Sequence, residues 1–356
     1  MIEQIEKNGY NLIVDEALSV FAKSCCTRDD ANILCEIGWA RREGSVYVRT
    51  EDANDGYRGG LRDVLGLLQD GELIDQGDEE DVEEKNGGER LFYWQASYPA
   101  LTKFKSVTLM TYMFHFSDMR CFLDLHNVQY EYIGIAHDGA LENRRYWFCP
   151  IEEAMVPEYT THLRDFIEVD SKRRRSDVAS SRYALSANFY RSASKERLKE
   201  ISNACRTFFD EHAGYGVDAR LVGSYKSVFP LKANGRRNPR TVAGNGFRKP
   251  ELWTPFNCCA TNTYADRYVA AFIANIFPDP SKARYLRERG VLYDEDGEAL
   301  STLVQWVWRT AVRRNGDGKP PVKIHLYIPS RRMRNLFTAW MDHPFSAKEL
   351  VARRVA

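Results

Sequence analysis

Asn11-Leu12-Ile13-Val14-Asp15-Glu16 is the stretch on which the fold assignment turns. An apolar run that ends in two acids has the pattern of a short buried strand whose carboxyl edge carries charge. Two acids so placed suit a magnesium ion and a water aligned on a phosphate. Such a site also needs a backbone loop around the phosphates, with the spacing Gly-x-x-x-x-Gly-Lys-Ser/Thr. Only ten residues precede Asn11, and no Gly-Lys-Ser or Gly-Lys-Thr occurs in the chain. Gly223-Ser224-Tyr225-Lys226-Ser227 comes nearest and lacks the glycine that would let the backbone wrap a phosphate. Asp15-Glu16 is equally what an ordinary strand-to-loop transition with solvated acids looks like.

Working outward, 356 residues with 44% hydrophobic and 12% aromatic content are enough for a large core and for two domains of ordinary size. No apolar run approaches the ~20 residues that cross a bilayer. The acidic start Met1-Ile2-Glu3-Gln4-Ile5-Glu6 is unlike a signal or transit peptide. A cytoplasmic setting without a membrane partner is therefore expected. The eight cysteines fall as Cys25-Cys26, Cys258-Cys259 and four singletons, with no Cys-x-x-Cys, so buried free thiols are expected rather than a zinc site. The seven histidines include no His-x-x-x-His pair that would hold a metal.

The net charge of zero conceals a division. Residues 1–150 hold 15 Lys and Arg against 27 Asp and Glu, a balance of −12, so the remainder carries +12. The excess is concentrated in Lys172-Arg173-Arg174-Arg175, Arg236-Arg237-Asn238-Pro239-Arg240, Arg248-Lys249 and Arg331-Arg332-Met333-Arg334. Clustered cations are the electrostatic footprint of a polyanion, although a solvated basic face has the same composition.

Strand composition recurs at Val107 to Phe114, which suits a place beside the first strand in a parallel sheet, and at Tyr130 to Ile135. Residues 71–90 form an acidic, glycine-containing insertion, with 75–90 expected as a solvated loop. A domain boundary is expected in a linker at residues 136–150, near His137-Asp138-Gly139. Beyond it the pattern alternates: a helix over 194–213, a strand at 220–224, a basic loop over 231–250, a helix from Tyr264 to Phe277, a helix over 298–314 and a strand from Lys323 to Ile328. Such alternation points to an α/β architecture with mostly parallel sheets. In the helix expected over 298–314, Leu300, Leu303, Val304, Val307, Trp308 and Ala311 recur on one face. Gln305, Arg309 and Arg313 lie four apart and would share an arc of the other face, where guanidiniums could reach phosphates or simply pair with surface acids. Trp308 is expected in the core, with Trp306 free to stack on a base or to cover an interface.

Three stretches, Gly9 to Glu16, Val107 to Phe114 and Gln305 to Arg313, resemble the second, third and sixth motifs of superfamily-two helicases in order and spacing. The likeness extends to the DEAD/DEAH-like helicases of phages and mobile elements, which have segments similar to Tyr327-Ile328-Pro329-Ser330-Arg331-Arg332-Met333-Arg334 and to Asn257-Cys258-Cys259-Ala260-Thr261-Asn262 with Tyr264, Asp266 and Arg267. It covers most of the chain, best over the last hundred residues and least over 25–100 and 140–220. Cys259 stands where the group tends to have arginine, Arg313 is one residue later than the commonest spacing, and the first motif is missing.

The resemblance implies two RecA-like lobes with mostly parallel sheets. Residues 1–135 would be the C-terminal part of a first lobe truncated at its N-terminus, and 151–356 a second lobe with basic insertions. It implies ATP hydrolysis coupled to movement on or unwinding of DNA or RNA; DNA is the partner expected, although no residue pattern in the chain separates the two. Asp15 would hold magnesium through the nucleotide, Glu16 would polarise water, and Gln305, Arg309 and Arg313 would face the phosphates. Thr108 and Thr111 would couple nucleotide state to grip, unless they are simply structural. Thr261, Asn262 and Arg267 would contact a strand backbone. Lys226, Arg236, Arg237 and Arg240 would add salt-sensitive affinity. ATP and Mg²⁺ are expected only if another polypeptide, encoded upstream, supplies the phosphate loop. Without it the chain is expected to hydrolyse ATP poorly, as a fragment, split-gene product or decayed copy, or to be a non-enzymatic nucleic-acid-binding module.

Overall fold

The computed structural model describes residues 7–15, 19–24, 26–75, 92–138, 145–150, 163–172, 177–258, 262–316 and 322–343. The chain divides into two compact units, Met1–Tyr130 with Asp279–Tyr293, and Glu131–Pro278 with Asp294–Ala356.

In the first unit, β1 (Asn11–Asp15) runs parallel to β7 (Ser106–Met110) in register Asn11 to Ser106. The pairing agrees with the sequence, but the expected burial does not. Among the described residues these two strands form a sheet of their own, and Ile13 is 65% exposed. The larger sheet has the order β2-β6-β5-β4-β3 and is antiparallel throughout, from β2 (Phe21–Lys23), β3 (Ala40–Glu43), β4 (Val46–Arg49), β5 (Gly71–Asp75) and β6 (Phe92–Ala96). The mostly parallel first lobe is thus corrected for this sheet. β3 and β4 are joined by Gly44-Ser45 alone, a connection that only antiparallel neighbours allow. The start of the acidic insertion is β5, and the rest lies outside the described residues.

Helices α1 (Arg28–Glu36), α2 (Arg62–Asp70) and α3 (Asp118–Leu125) belong to this unit. Thr27 caps α1 in a reciprocal box with Asp30, and Ser117 caps α3. Met119 and Phe122 of α3 pack with Phe21, Ile74, Tyr285 and Leu286.

The second unit opens with the hairpin β8 (Ile133–Asp138) and β9 (Arg145–Pro150), where a linker was expected. Its main sheet is parallel, in the order β10-β14-β13-β11-β12, from β10 (Ile167–Val169), β11 (Arg220–Ser224), β12 (Trp253–Pro255), β13 (Val269–Phe272) and β14 (Ile324–Tyr327). Helices α4 (Leu163–Phe166), α5 (Ala187–Ser192) and α6 (Lys195–Glu211) precede β11. Ser194 caps α6, whose Ile201, Cys205, Phe208 and Phe209 pack with Val222, Val269 and Ala271 of the sheet. The chain then gives α7 (Pro280–Glu288) to the first unit and returns for α8 (Glu295–Val307) and α9 (Arg331–Asp342).

The helix expected from Tyr264 to Phe277 is instead the strand β13. All four of its residues are buried, and an unbroken apolar run does not distinguish a central parallel strand from a buried helix. The helix expected over 298–314 stops at Val307, where the Thr310 hydroxyl donates to the Val307 carbonyl at 2.6 Å. The tryptophan assignment also reverses. Trp306 is buried against Gly223 and Phe272, while Trp308 is half-buried beside Trp340. Cys26, Cys121, Cys149 and Cys205 are buried free thiols, and burial pushes Cys26 and Cys205 up to about 12. Among the described residues no acid, histidine and cysteine cluster could hold a metal, and no helix is long and apolar enough to cross a membrane.

Candidate nucleic-acid interface

The basic segment starts from a fixed point. β11 lies between β12 and β13, is buried at all five positions, and ends at Ser224. Between Asp218 and Glu251 the sequence has eight cations and no acid. Asn238, buried within this segment, sets its path. Its Nδ2 donates to the Ser227 and Phe229 carbonyls at 2.8 and 2.9 Å, and its Oδ1 accepts from the Arg240 amide at 3.0 Å. A tight reversal forms where Leu231 bridges Arg237 and the Lys232 amide donates to the Arg236 carbonyl at 2.8 Å. Gly235, with φ at 75°, occupies the left-handed conformation that this turn demands.

Lys226, Lys232, Arg236, Arg237 and Arg248 are exposed, and among the described residues none of these side chains pairs with a carboxylate. Arg240 has a different role from the one expected. Its guanidinium donates to the Tyr190 carbonyl at 3.2 and 2.6 Å and to the Ala193 carbonyl at 3.2 Å, closing the end of α5. Lys249 stands 3.5 Å from Asp218. Arg248 was named from sequence as part of a basic cluster, though not as a site residue, and Lys232 was missed. The absence of any acid over this span was the signal that could have found Lys232, whereas nothing local marks Asn238 as the residue that sets the path.

A second group gathers before β13. Arg313 donates to Asn262 Oδ1, the Ala311 amide donates to the Arg267 carbonyl at 3.0 Å, and Arg314 pairs with Asp266 and donates to the Tyr268 hydroxyl at 2.9 Å. Asn262 and Arg313 are therefore brought together by their side chains, and Arg267 joins the segment through its backbone carbonyl, with Arg314 as a member that sequence reasoning missed. Gln305 is directed elsewhere, its Nε2 donating to Ser301 Oγ at 3.3 Å. Arg309 follows the end of α8, so the expected helical arc of Gln305, Arg309 and Arg313 is not formed. In the first unit Asp15 is exposed at the end of β1, Thr108 is half-buried opposite Ile13, and Thr111 follows β7. Glu16 and Thr261 lie outside the described residues.

Open parallel sheets take ligands at the carboxyl edge where strand order reverses, here between β11 and β13. Protein groups fill that edge. The Tyr190 hydroxyl and Ser224 Oγ both donate to the Ile273 carbonyl, at 2.7 and 3.1 Å. Asn275 Nδ2 donates to the Arg182 and Ala184 carbonyls at 2.8 and 3.0 Å, and Arg332 donates to Asn275 Oδ1 at 3.2 Å and to the Ile276 carbonyl at 2.6 Å. Burial raises the Tyr190 phenol well above its usual range and pushes Tyr225 up to about 12, so both remain protonated donors.

The sequence profile of the YonV C-terminal Rossmann-like domain matches residues 161–341. The chain is also similar to the SPbeta prophage-derived uncharacterized protein YonV of Bacillus subtilis (strain 168), at 24% identity over 353 residues, covering 96% of this chain and 76% of that protein. No solved structure matches the chain.

Proposed function

The chain belongs to the family of the YonV C-terminal Rossmann-like domain, and from that premise we propose that it binds nucleic acid, DNA in particular, in the cytoplasm through the basic segment after β11. The observation that carries this reading is the set of exposed cations Lys226, Lys232, Arg236, Arg237 and Arg248 on a loop fixed by buried Asn238. Cations grouped without acids attract phosphates whatever the base sequence, and binding releases counterions. Anisotropy of a labelled oligonucleotide should show affinity falling linearly with salt on logarithmic axes. The Arg236→Ala, Arg237→Ala double variant should weaken every sequence alike and reduce the slope by about two, because each cation that neutralises a phosphate contributes close to one. A slope equal to that of the unmodified chain would refute the assignment.

A second reading is a helicase-like NTPase, and the meeting of Asn262, Arg267 and Arg313 favours it because those residues come from the two helicase-like segments of the second unit. On that reading a partner polypeptide supplies the phosphate loop, Asp15 and Glu16 serve ATP and Mg²⁺, and Arg309 and Arg313 act on the phosphates, joined by Gln305 only once it leaves Ser301. Thr108 and Thr111 link the nucleotide to a strand held by Thr261, Asn262 and Arg267. Nucleic-acid-stimulated ATP turnover with that partner, lost in Glu16→Gln, is the expected result. Unchanged turnover in the variant would rule this reading out.

A further inference from the structure

The amino edge of the second unit's sheet carries an ordered group of side chains outside the basic segment. Glu168 of β10 and His325 of β14 are register partners on adjacent parallel strands, so their side chains emerge on one face. Glu168 Oε2 stands 3.4 Å from His325 Nδ1, and His325 Nε2 lies 3.1 Å from the hydroxyl of Tyr215, whose residue is 46% exposed. The His212 ring stacks on His325 at 4.1 Å and 24° and holds its plane. His325 Nδ1 is buried and makes no hydrogen bond among the described residues, so Glu168 acts on it through charge: a carboxylate at this distance favours the tautomer with the proton on Nδ1, in which the Nε2 lone pair accepts from the phenol. A hydroxyl on a base that a third group orients is the arrangement of an activated nucleophile.

Burial is the main cause that lowers the titration of His325, Glu168 raises it, and Lys323, 3.5 Å from Glu168, lowers it. The imidazole is therefore a neutral acceptor at pH 7. Tyr268 stacks on Tyr215 at 6.0 Å and 19°, and its hydroxyl accepts from Arg314, which brings a guanidinium to the same group.

We propose that Tyr215 is a nucleophile for phosphodiesters, with His325 as its general base and Glu168 as a positioning residue. Tyr215 Oη forms a bond to phosphorus as its proton passes to His325 Nε2. The bond from phosphorus to the leaving oxygen breaks with its electron pair on that oxygen, which takes the proton back from the imidazolium. The products are a phosphotyrosyl diester and a free hydroxyl, and no oxidant or reductant is needed. Nucleic acid would be the natural phosphodiester, but the chemistry does not require the basic segment.

The full chain is incubated with bis(4-nitrophenyl) phosphate and, separately, with an end-labelled single-stranded oligonucleotide. The expected results are a burst of about one nitrophenolate per chain, a mass adduct on Tyr215, and a labelled band that survives denaturing electrophoresis. Tyr215→Phe, with an unchanged thermal melt, should abolish them, and His325→Asn should slow adduct formation ~10²–10⁴-fold. The rate should fall with acid as His325 protonates, and Glu168→Gln should move that limb to lower pH, a shift that a merely structural carboxylate would not cause. Adduct from the small probe without oligonucleotide binding supports the proposal while counting against the nucleic-acid reading. No adduct from either probe, or one that persists in Tyr215→Phe, overturns it.

Discussion

Gly223 shows how a single side chain is excluded by a neighbour. A Cβ placed there would sit 2.5 Å from the indole of Trp306, a rigid ring fixed between β11 and Phe272. Overpacking of this kind costs about 1–3 kcal/mol. Gly223→Ala should therefore lower the urea midpoint of the second unit by a corresponding amount, whereas Trp308→Phe, at a half-buried site, should change it little. The sequence placed both tryptophans on one long helix, from which this ordering could not be read. The helix ends one residue before Trp308, and Gly223 was visible only as part of a failed phosphate-loop match.

At the scale of elements, α6 and β11 were legible because their signals are local. Ser194 caps a 3.6-residue apolar repeat, and Arg220-Leu221-Val222-Gly223-Ser224 is a short run of strand length. β13 was not legible, since a strand buried on both faces lacks the alternation that marks one buried on one face. The basic loop was legible as charge and illegible as structure, because Asn238 bonds backbone groups within its own segment that no motif marks, and Arg240 reaches carbonyls far back in sequence at Tyr190 and Ala193. The two kinds of arginine separate experimentally. Arg240→Ala should hasten amide exchange in α5, with a loss of about 1 kcal/mol for its carbonyl partners, and leave the salt slope of nucleic-acid binding unchanged. Arg236→Ala should do the reverse.

Across the whole molecule, acid acts on both units. Burial depresses the titration of His126 in the first unit, where Gln95 Nε2 lies 3.0 Å from its Nε2 and Tyr98 stacks on it at 4.8 Å. His325 in the second unit is depressed as well, chiefly by burial. The unfolded chain then binds protons first, so the stability present above the ordinary histidine value of 6.5 is lost as pH falls through the folded values. Glu72 opposes this lower down. Burial and Glu43 raise it above 4.5, so its effect favours the folded state as pH falls through that raised value. Urea midpoints should decline from pH 7.5 to 5.5, and His126→Gln should flatten the decline. The charge division also has its counterpart here, because the exposed cations of the basic segment all lie in the second unit.

The helix that leaves the second unit to complete the first has a consequence for the order of assembly. α7 brings Tyr285 Oη within 3.1 Å of Gln95 Oε1 and Lys282 within 2.7 Å of Asp118, and the carbonyl of Leu292 accepts from buried Arg120. On a translating ribosome the first unit therefore waits, its core open at Phe21, Met119 and Phe122, until synthesis has run on from Glu131 to Tyr293. By then β13 has been synthesised but β14 has not, so neither unit can close before most of the chain exists. Residues 1–130 expressed alone should bind a hydrophobic dye and lose dispersed methyl resonances, and a peptide of residues 279–293 should restore them. Birth order and folding order are uncoupled in this chain, and a stalled product would expose apolar surface for a chaperone or protease to find.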